Sequence, residues 1–170
     1  MNDTWILVIA IGTAVVLIFV IPLMTIADRN DDTAQMVVQT ALTEWGDKIA
    51  TTGKITQADA NVFIEKATST RNMVAYDMQV KATDKNLSAK AALTQRDKTG
   101  ENATYYDYNS QIEEAWEKNG EYICNPGEEI KLTAYKTNKS PGEELHSAFL
   151  PTTNNNDYQI IAEYTTTVKK

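Results

Sequence analysis

His146 is the only histidine in the 170-residue chain, and Cys124 is the only cysteine. A histidine-based zinc site or a nucleophile–histidine–carboxylate triad asks for more than this. On a helix surface, His146 reads as an ordinary exposed side chain. Three carboxylate pairs stand out: Glu113-Glu114, Glu128-Glu129 and Glu143-Glu144. Neighbours in sequence do not face each other on a helix, so these pairs read as solvated charge rather than as an acid and a base. Asp28, Asp31 and Asp32 offer oxygen ligands for a hard cation, but they lack the D-x-D-x-D-G spacing of a calcium loop. There is no Walker loop, no G-x-S-x-G elbow and no zinc motif. Cys124 cannot close an intramolecular disulfide and is expected to be a small buried strand residue. Tyr105, Tyr106 and Tyr108 form an aromatic group just before a predicted helix, suited either to packing or to a partner surface. The expectation is a protein that is not an enzyme and uses no cofactor and no metal.

Chemistry gives way to an element. Trp5 to Ile26 (WILVIAIGTAVVLIFVIPLMTI) runs 22 residues without a charge, close to the roughly 20 that a helix needs to cross a bilayer. Such a helix belongs in lipid or among copies of itself. A secretory signal would have a basic start, a shorter apolar core and a small-x-small cleavage site. Here no Lys or Arg precedes the run, and Thr25-Ile26-Ala27 is a poor site. The reading is a retained single-span anchor. Pro22 removes a backbone hydrogen bond. It signals either an ordinary membrane kink or a helix that bends when it packs into a filament. Gly12 and Thr13 permit close helix approach, although no GxxxG pattern is present.

The net charge of −7 and pI near 4.7 argue against nucleic acid, which asks for a basic patch, and against docking on anionic headgroups. About 140 residues remain beyond the anchor, enough for one core. The flanks barely fix orientation: Arg29 sits among aspartates, and no Lys or Arg precedes the span. The acidic, Thr- and Asn-rich composition favours a domain outside the cell. Asn-x-Ser/Thr triplets start at Asn2, Asn86, Asn102 and Asn138; about two would arise by chance, so glycosylation is a minor possibility.

The anchor is expected to continue past the membrane. Val38, Ala41, Leu42, Trp45 and Ile49 keep helical spacing, and Gly53 supplies a stop. The alternative is a separate soluble helix after an acidic linker at 28–32. Thr56-Gln57-Ala58-Asp59 resembles a capping box opening a helix to about Thr68, with Val62, Phe63 and Ala67 inward. Val74, Tyr76, Met78, Val80 and Ala82 alternate as a strand with one buried face. Residues 84–104 are polar and aperiodic, either a mobile excursion or a partner-binding loop. Ser110-x-x-Glu113 is a capping box for a helix with Ile112, Ala115 and Trp116 inward. After the Asn125-Pro126-Gly127 turn, Ile130, Leu132 and Ala134 alternate as a strand. Pro141-Gly142 leads into a helix from Glu143 to Leu150. Tyr158, Ile160, Ala162, Tyr164 and Val168 give a last strand. The predicted class is α+β: a long N-terminal helix, transmembrane then amphipathic, on a three- or four-stranded antiparallel sheet with short extra helices.

Trp5 to Ile26 with Pro22 inside it, followed by the amphipathic Asp28 to Ile49, resembles the N-terminal half of pilin-like proteins of the type IV and Tad type. The run TAQMVVQTALTEWGDKIATTGKITQADANVFIEKAT is similar to single-span proteins of Tad-like pilus or conjugative loci. The resemblance covers about the first 80 residues. The prepilin context, a Gly followed by an aromatic with a Glu five residues in, is missing; position 5 is Trp5. That fits a minor, pseudopilin-like or accessory component. The resemblance implies an anchor at 1–27 and an exposed pilin-like α+β domain at 28–170. It further implies a structural subunit of a filament, pilus or secretion assembly, partnered by the membrane and by copies of itself or other pilin-like subunits. Trp5, Gly12, Thr13, Phe19 and Pro22 are the expected assembly residues; Val38, Leu42, Trp45 and Ile49 join helix to sheet; Tyr105, Tyr106 and Tyr108 are the candidate partner surface. The alternative is a bitopic adhesion or ligand-binding module that does not polymerise.

Overall fold

The computed structural model describes residues 2–70, 72–83, 104–149 and 159–169. Helix α1 comprises Asn2–Val15, a π-helical turn Val16–Val20 and Ile21–Thr52. Thr4–Thr52 is thus one 49-residue helix, about 73 Å long at 1.5 Å per residue. The acidic stretch 28–32 is helical throughout, so the separate-helix alternative falls. The polar side chains there are accommodated because Asn30 and Asp32 face solvent while Asp28 and Asp31 are met by His146 and Ser140. Pro22 has no N–H, so the Ile18 carbonyl loses its usual partner. The π-helical turn sits at that point, and a widened turn lets neighbouring N–H groups serve the freed carbonyl. Gly53 ends the helix in the left-handed region (φ 69°), its N–H donating to Ile49 O at 2.8 Å.

The remaining elements are β1 (Lys54–Thr56), α2 (Gln57–Thr68), β2 (Val74–Thr83), β3 (Thr104–Tyr108), α3 (Asn109–Asn119), β4 (Glu121–Ile123), β5 (Glu129–Lys136), α4 (Pro141–Phe149) and β6 (Gln159–Thr167). Four strands form an antiparallel sheet in the order β3-β2-β5-β6, and β1 pairs with β4 in a small second sheet. The fold is α+β, with the upper half of α1 lying over the apolar face of the four-stranded sheet. Val38, Leu42, Trp45 and Ile49 meet Met78, Val80, Ile130, Leu132 and Ala134 in one core. Trp45 stacks on Phe63 at 5.3 Å and meets Tyr76 edge-on at 5.3 Å. Such ring pairs add about 0.5–1.5 kcal/mol beyond area burial.

Several local expectations change. In α2, Thr56 Oγ accepts from the Asp59 N–H at 3.2 Å, as a cap should, but Asp59 turns to Lys48 instead of closing the box. Phe63 and Ala67 point inward while Val62 is exposed, because Ala60, not Val62, shares their face. Helix α3 begins two residues early, capped at Tyr108 and not at Ser110: Gln111 Oε1 accepts from the Tyr108 N–H at 3.0 Å, and Ser110 only donates to Gln111. The preceding Asn109 decides this. Its side chain accepts from Met78 N–H at 2.5 Å and donates to Tyr76 O at 3.1 Å, continuing the β2 ladder where β3 ends. In β6 the register steps two residues for one between Ala134 and Tyr135, leaving Ile161 as the extra residue of a bulge. Beyond it the faces swap: Ile161 packs on the core, whereas Ile160, expected inside, is exposed. Tyr158 and residues 84–103 of the polar stretch lie outside the described residues, and Thr104 opens β3.

Candidate functional site

The span is the largest uncovered apolar surface of the described residues. None of its most apolar window is buried inside the protein. Trp5 and Phe19 are exposed by 69% and 62%, and their neighbours all round the helix are comparably open. Gly12 has nothing within 4 Å of where a Cβ would stand, so another helix can approach its backbone there. The Thr13 hydroxyl donates to Ile9 O at 2.9 Å, and that of Thr25 to Ile21 O at 3.1 Å. Neither hydroxyl therefore carries an unsatisfied donor into an apolar surrounding. Pro22 is exposed beside the π-helical turn.

The upper half of the same helix has the opposite environment. Val38, Leu42 and Ile49 are fully buried and Trp45 nearly so. Gly46 lets the Tyr164 ring lie against the helix backbone, since a Cβ at position 46 would overlap that ring. Tyr164 then donates to Asp47 Oδ1 at 2.5 Å, and this hydrogen bond raises its hydroxyl pKa. Gln35 and Gln39 donate to the carbonyls of Ile161 and Glu163 at 3.2 and 3.4 Å, so helix amides serve the β6 backbone that β5 leaves free.

Between the halves lies a polar junction. Ser140-Pro141-Gly142-Glu143 is a capping box with proline at the first helical position. Ser140 Oγ accepts from the Glu143 N–H at 3.2 Å, and Glu143 Oε2 accepts from the Ser140 N–H at 2.8 Å. Ser140 Oγ also donates to Asp31, and His146 Nε2 meets Asp28 Oδ1 at 2.8 Å. These residues were readable only as a turn and as free charge; the S-P-x-E pattern was the signal that could have found the cap. Burial opposes ionisation of Glu143, but the Lys136 ion pair at 2.7 Å and the Ser140 donors outweigh it and hold its pKa below the usual range. Asp28 and Asp31 are thus occupied by α4. Among the described residues, no group of three or more His, Cys, Asp or Glu side chains converges to hold a metal.

Among the clefts that flank α1, two are large. One, of about 640 Å³, runs between Leu23, Ile26 and Ala27 of α1 and Pro141 and Leu145 of α4. The other, of about 710 Å³, lies between α1 and α2, where Met36, Val37, Ala41 and Val62 supply an apolar floor. They share Thr33 and Ser69, so one strip continues from the span up the domain. Met36 is 70% exposed, off the buried stripe that its neighbours Val38 and Leu42 define.

The remaining singled-out residues separate. Tyr106 and Tyr108 pair across from Lys81 and Gln79 on the face of the sheet away from α1, whereas Tyr105 lies opposite Ala82 on the other face. The three rings do not form one patch. Glu128, expected in solvent, is 2% exposed, and its carboxylate accepts from the Asn125 backbone N–H at 2.7 Å and side-chain amide at 2.8 Å. The turn after Cys124 folds back over it. Cys124 is buried as expected but follows β4 rather than lying in it, with its N–H donating to Gly53 O at 2.8 Å. Burial, with the Glu128 and Asp107 charges, pushes its thiol up to about 12. The chain matches no protein-family model, and comparison with curated proteins and with solved structures returns no match.

Proposed function

We propose that this chain is a membrane-anchored, non-enzymatic structural subunit of pilin-like type, built into a cell-surface filament or a pilus or secretion assembly by packing of its N-terminal apolar helix. One observation carries the reading: a single helix is apolar over Trp5 to Ile26, with no buried residue in that stretch, then continues unbroken as the cover of an antiparallel sheet. An uncovered surface of that size needs lipid or other helices. The outer domain faces the cell exterior, and Trp5, Gly12, Thr13, Phe19 and Pro22 lie where neighbouring helices would meet. The chemical groups support a structural role: the lone thiol is buried and hard to ionise, and the lone imidazole is engaged by Asp28.

A second reading, a bitopic adhesion or ligand-binding module, is favoured by the cleft between α1 and α2, which has the size and apolar floor of a ligand site. Shearing native cells and blotting for the chain separates the two. Recovery in a sheared high-molecular-weight fraction supports the filament. Recovery only in membranes, with the domain removed by external protease, supports the module. A domain inaccessible to external protease sinks the orientation. Pro22→Ala should alter filament yield while leaving the domain folded; unchanged assembly would count against the helix-packing reading.

A further inference from the structure

Level decides what surrounds α4. The 22 residues from Trp5 to Ile26 span about 33 Å as a helix, matching a hydrocarbon core of about 30 Å. On the anchor reading of the preceding subsection, Ile26 and Ala27 therefore emerge at the bilayer surface. Helix α4 is tied to α1 at that height. Ser140 holds Asp31, and His146 holds Asp28 at 2.8 Å. Gly142 sits so close that a Cβ there would stand 2.5 Å from Asp31 Oδ2.

The direction follows from the same contacts. As α4 runs from Ser140 to His146, its partners move down α1 from Asp31 to Asp28. The helix descends toward the span, and Leu145 shares its cleft with Leu23 and Ile26. Leu145, Ala148 and Phe149 share one face by their three- and four-residue spacing. Phe149, at the lower end, is 49% exposed.

We propose that α4 is an interfacial helix that lies at headgroup level beside the exit of the anchor and sets Leu145 and Phe149 into the boundary between headgroups and acyl chains. Helices of this kind bury an apolar face about 5–10 Å into that boundary. The acidic groups around the junction, Asp28, Asp31, Asp32 and Glu144, select a zwitterionic surface over an anionic one. The occupant of this face is lipid.

The test uses the full chain in phosphatidylcholine nanodiscs, with an environment-sensitive fluorophore on Phe149→Cys, on Ile18→Cys within the span, or on Val62→Cys above it. These positions are exposed, whereas Cys124 is buried. The expected result is loss of Phe149-site fluorescence with nitroxides placed shallow in the acyl chains, and loss of Val62-site fluorescence with aqueous iodide. A Phe149 site quenched by iodide, with the Ile18 site quenched by lipid nitroxides, overturns the proposal and leaves the anchor standing. A Phe149 site shielded from both quenchers also overturns it, because protein then covers that face. An Ile18 site open to iodide overturns the anchor reading itself.

Discussion

The two halves of α1 carry different loads of large apolar side chains, sixteen from Trp5 to Ile26 and six from Thr33 to Thr52, and live in opposite surroundings. Below Ala27 those side chains are spread round the whole helix and none is buried within the chain, although Leu23 and Ile26 line a cleft with α4. Above Asp32 all but Met36 and Val37 lie on a stripe, Ala34, Val38, Ala41, Leu42, Trp45 and Ile49, which is buried against the domain. Hydrophobicity differs between the halves both in amount and in placement. Its angular distribution says whether the partner is a flat sheet, which covers one side, or a medium that covers every side.

The comparison breaks first at Leu42. Leu42→Ala should lower the unfolding free energy by about 2–5 kcal/mol, the cost of a cavity in a closed core. Ile18→Ala should change it by less than about 0.5 kcal/mol, as expected where nothing in the chain packs. Denaturant unfolding of the full chain in detergent, followed by near-ultraviolet circular dichroism, measures both. Equal losses would mean that the lower half has an intramolecular partner after all.

The glycines sharpen the contrast. Gly46→Ala should cost about 1–3 kcal/mol through the displaced Tyr164 ring, and Gly12→Ala should leave domain unfolding unchanged. If Gly12→Ala alone weakens recovery of sheared assemblies, the lower helix is read by other helices. Next comes the junction: Ser140→Ala should cost about 0.5–2 kcal/mol, as loss of a helix cap does, and thermal unfolding would register it.

The smallest effect is in pH. Glu143 has its folded-state pKa held below its unfolded value of 4.5. Its contribution is therefore present above the unfolded value and is lost as pH falls through the folded one. The carboxylate is 41% exposed, so solvent screening keeps the effect below about 1 kcal/mol. Glu143→Gln should flatten the acid side of the melting-temperature profile; an unchanged acid side would assign the acid lability to other carboxylates.

Much of this architecture was legible because periodicity survives in the sequence. The core stripe of α1, the Gly53 stop, and the β2 and β5 alternations read correctly, since each depends on neighbours a few residues away. What could not be read depends on distant partners. The β6 bulge moves Ile161 inward and Ile160 outward, and only the β5 register reveals it. Asn109 starts α3 early because its amide fits β2, which is remote in sequence. Glu128 looked solvated until the turn at Asn125 closed over it. The capping box at Ser140 is local in sequence, yet Pro141-Gly142 fits a turn equally well, and the contacts of Ser140 with Glu143 and Asp31 decide between them. Of the candidate site, the exposed span was plain in the sequence; the tie between α4 and the aspartates was not, because Asp28 and His146 are 118 residues apart.

The absence of a joint in α1 has a mechanical meaning. The 26 residues from Ala27 to Thr52 extend about 39 Å as helix, and the sheet is fastened along them. They form a lever arm. An inclination of the lower half by about 20°, ordinary for a spanning helix, swings Thr52 about 13 Å sideways and turns the whole sheet with it. Torque applied to the outer domain returns along the same rod, and the π-helical turn at Val16–Val20 is the place along it where the backbone ladder is least regular.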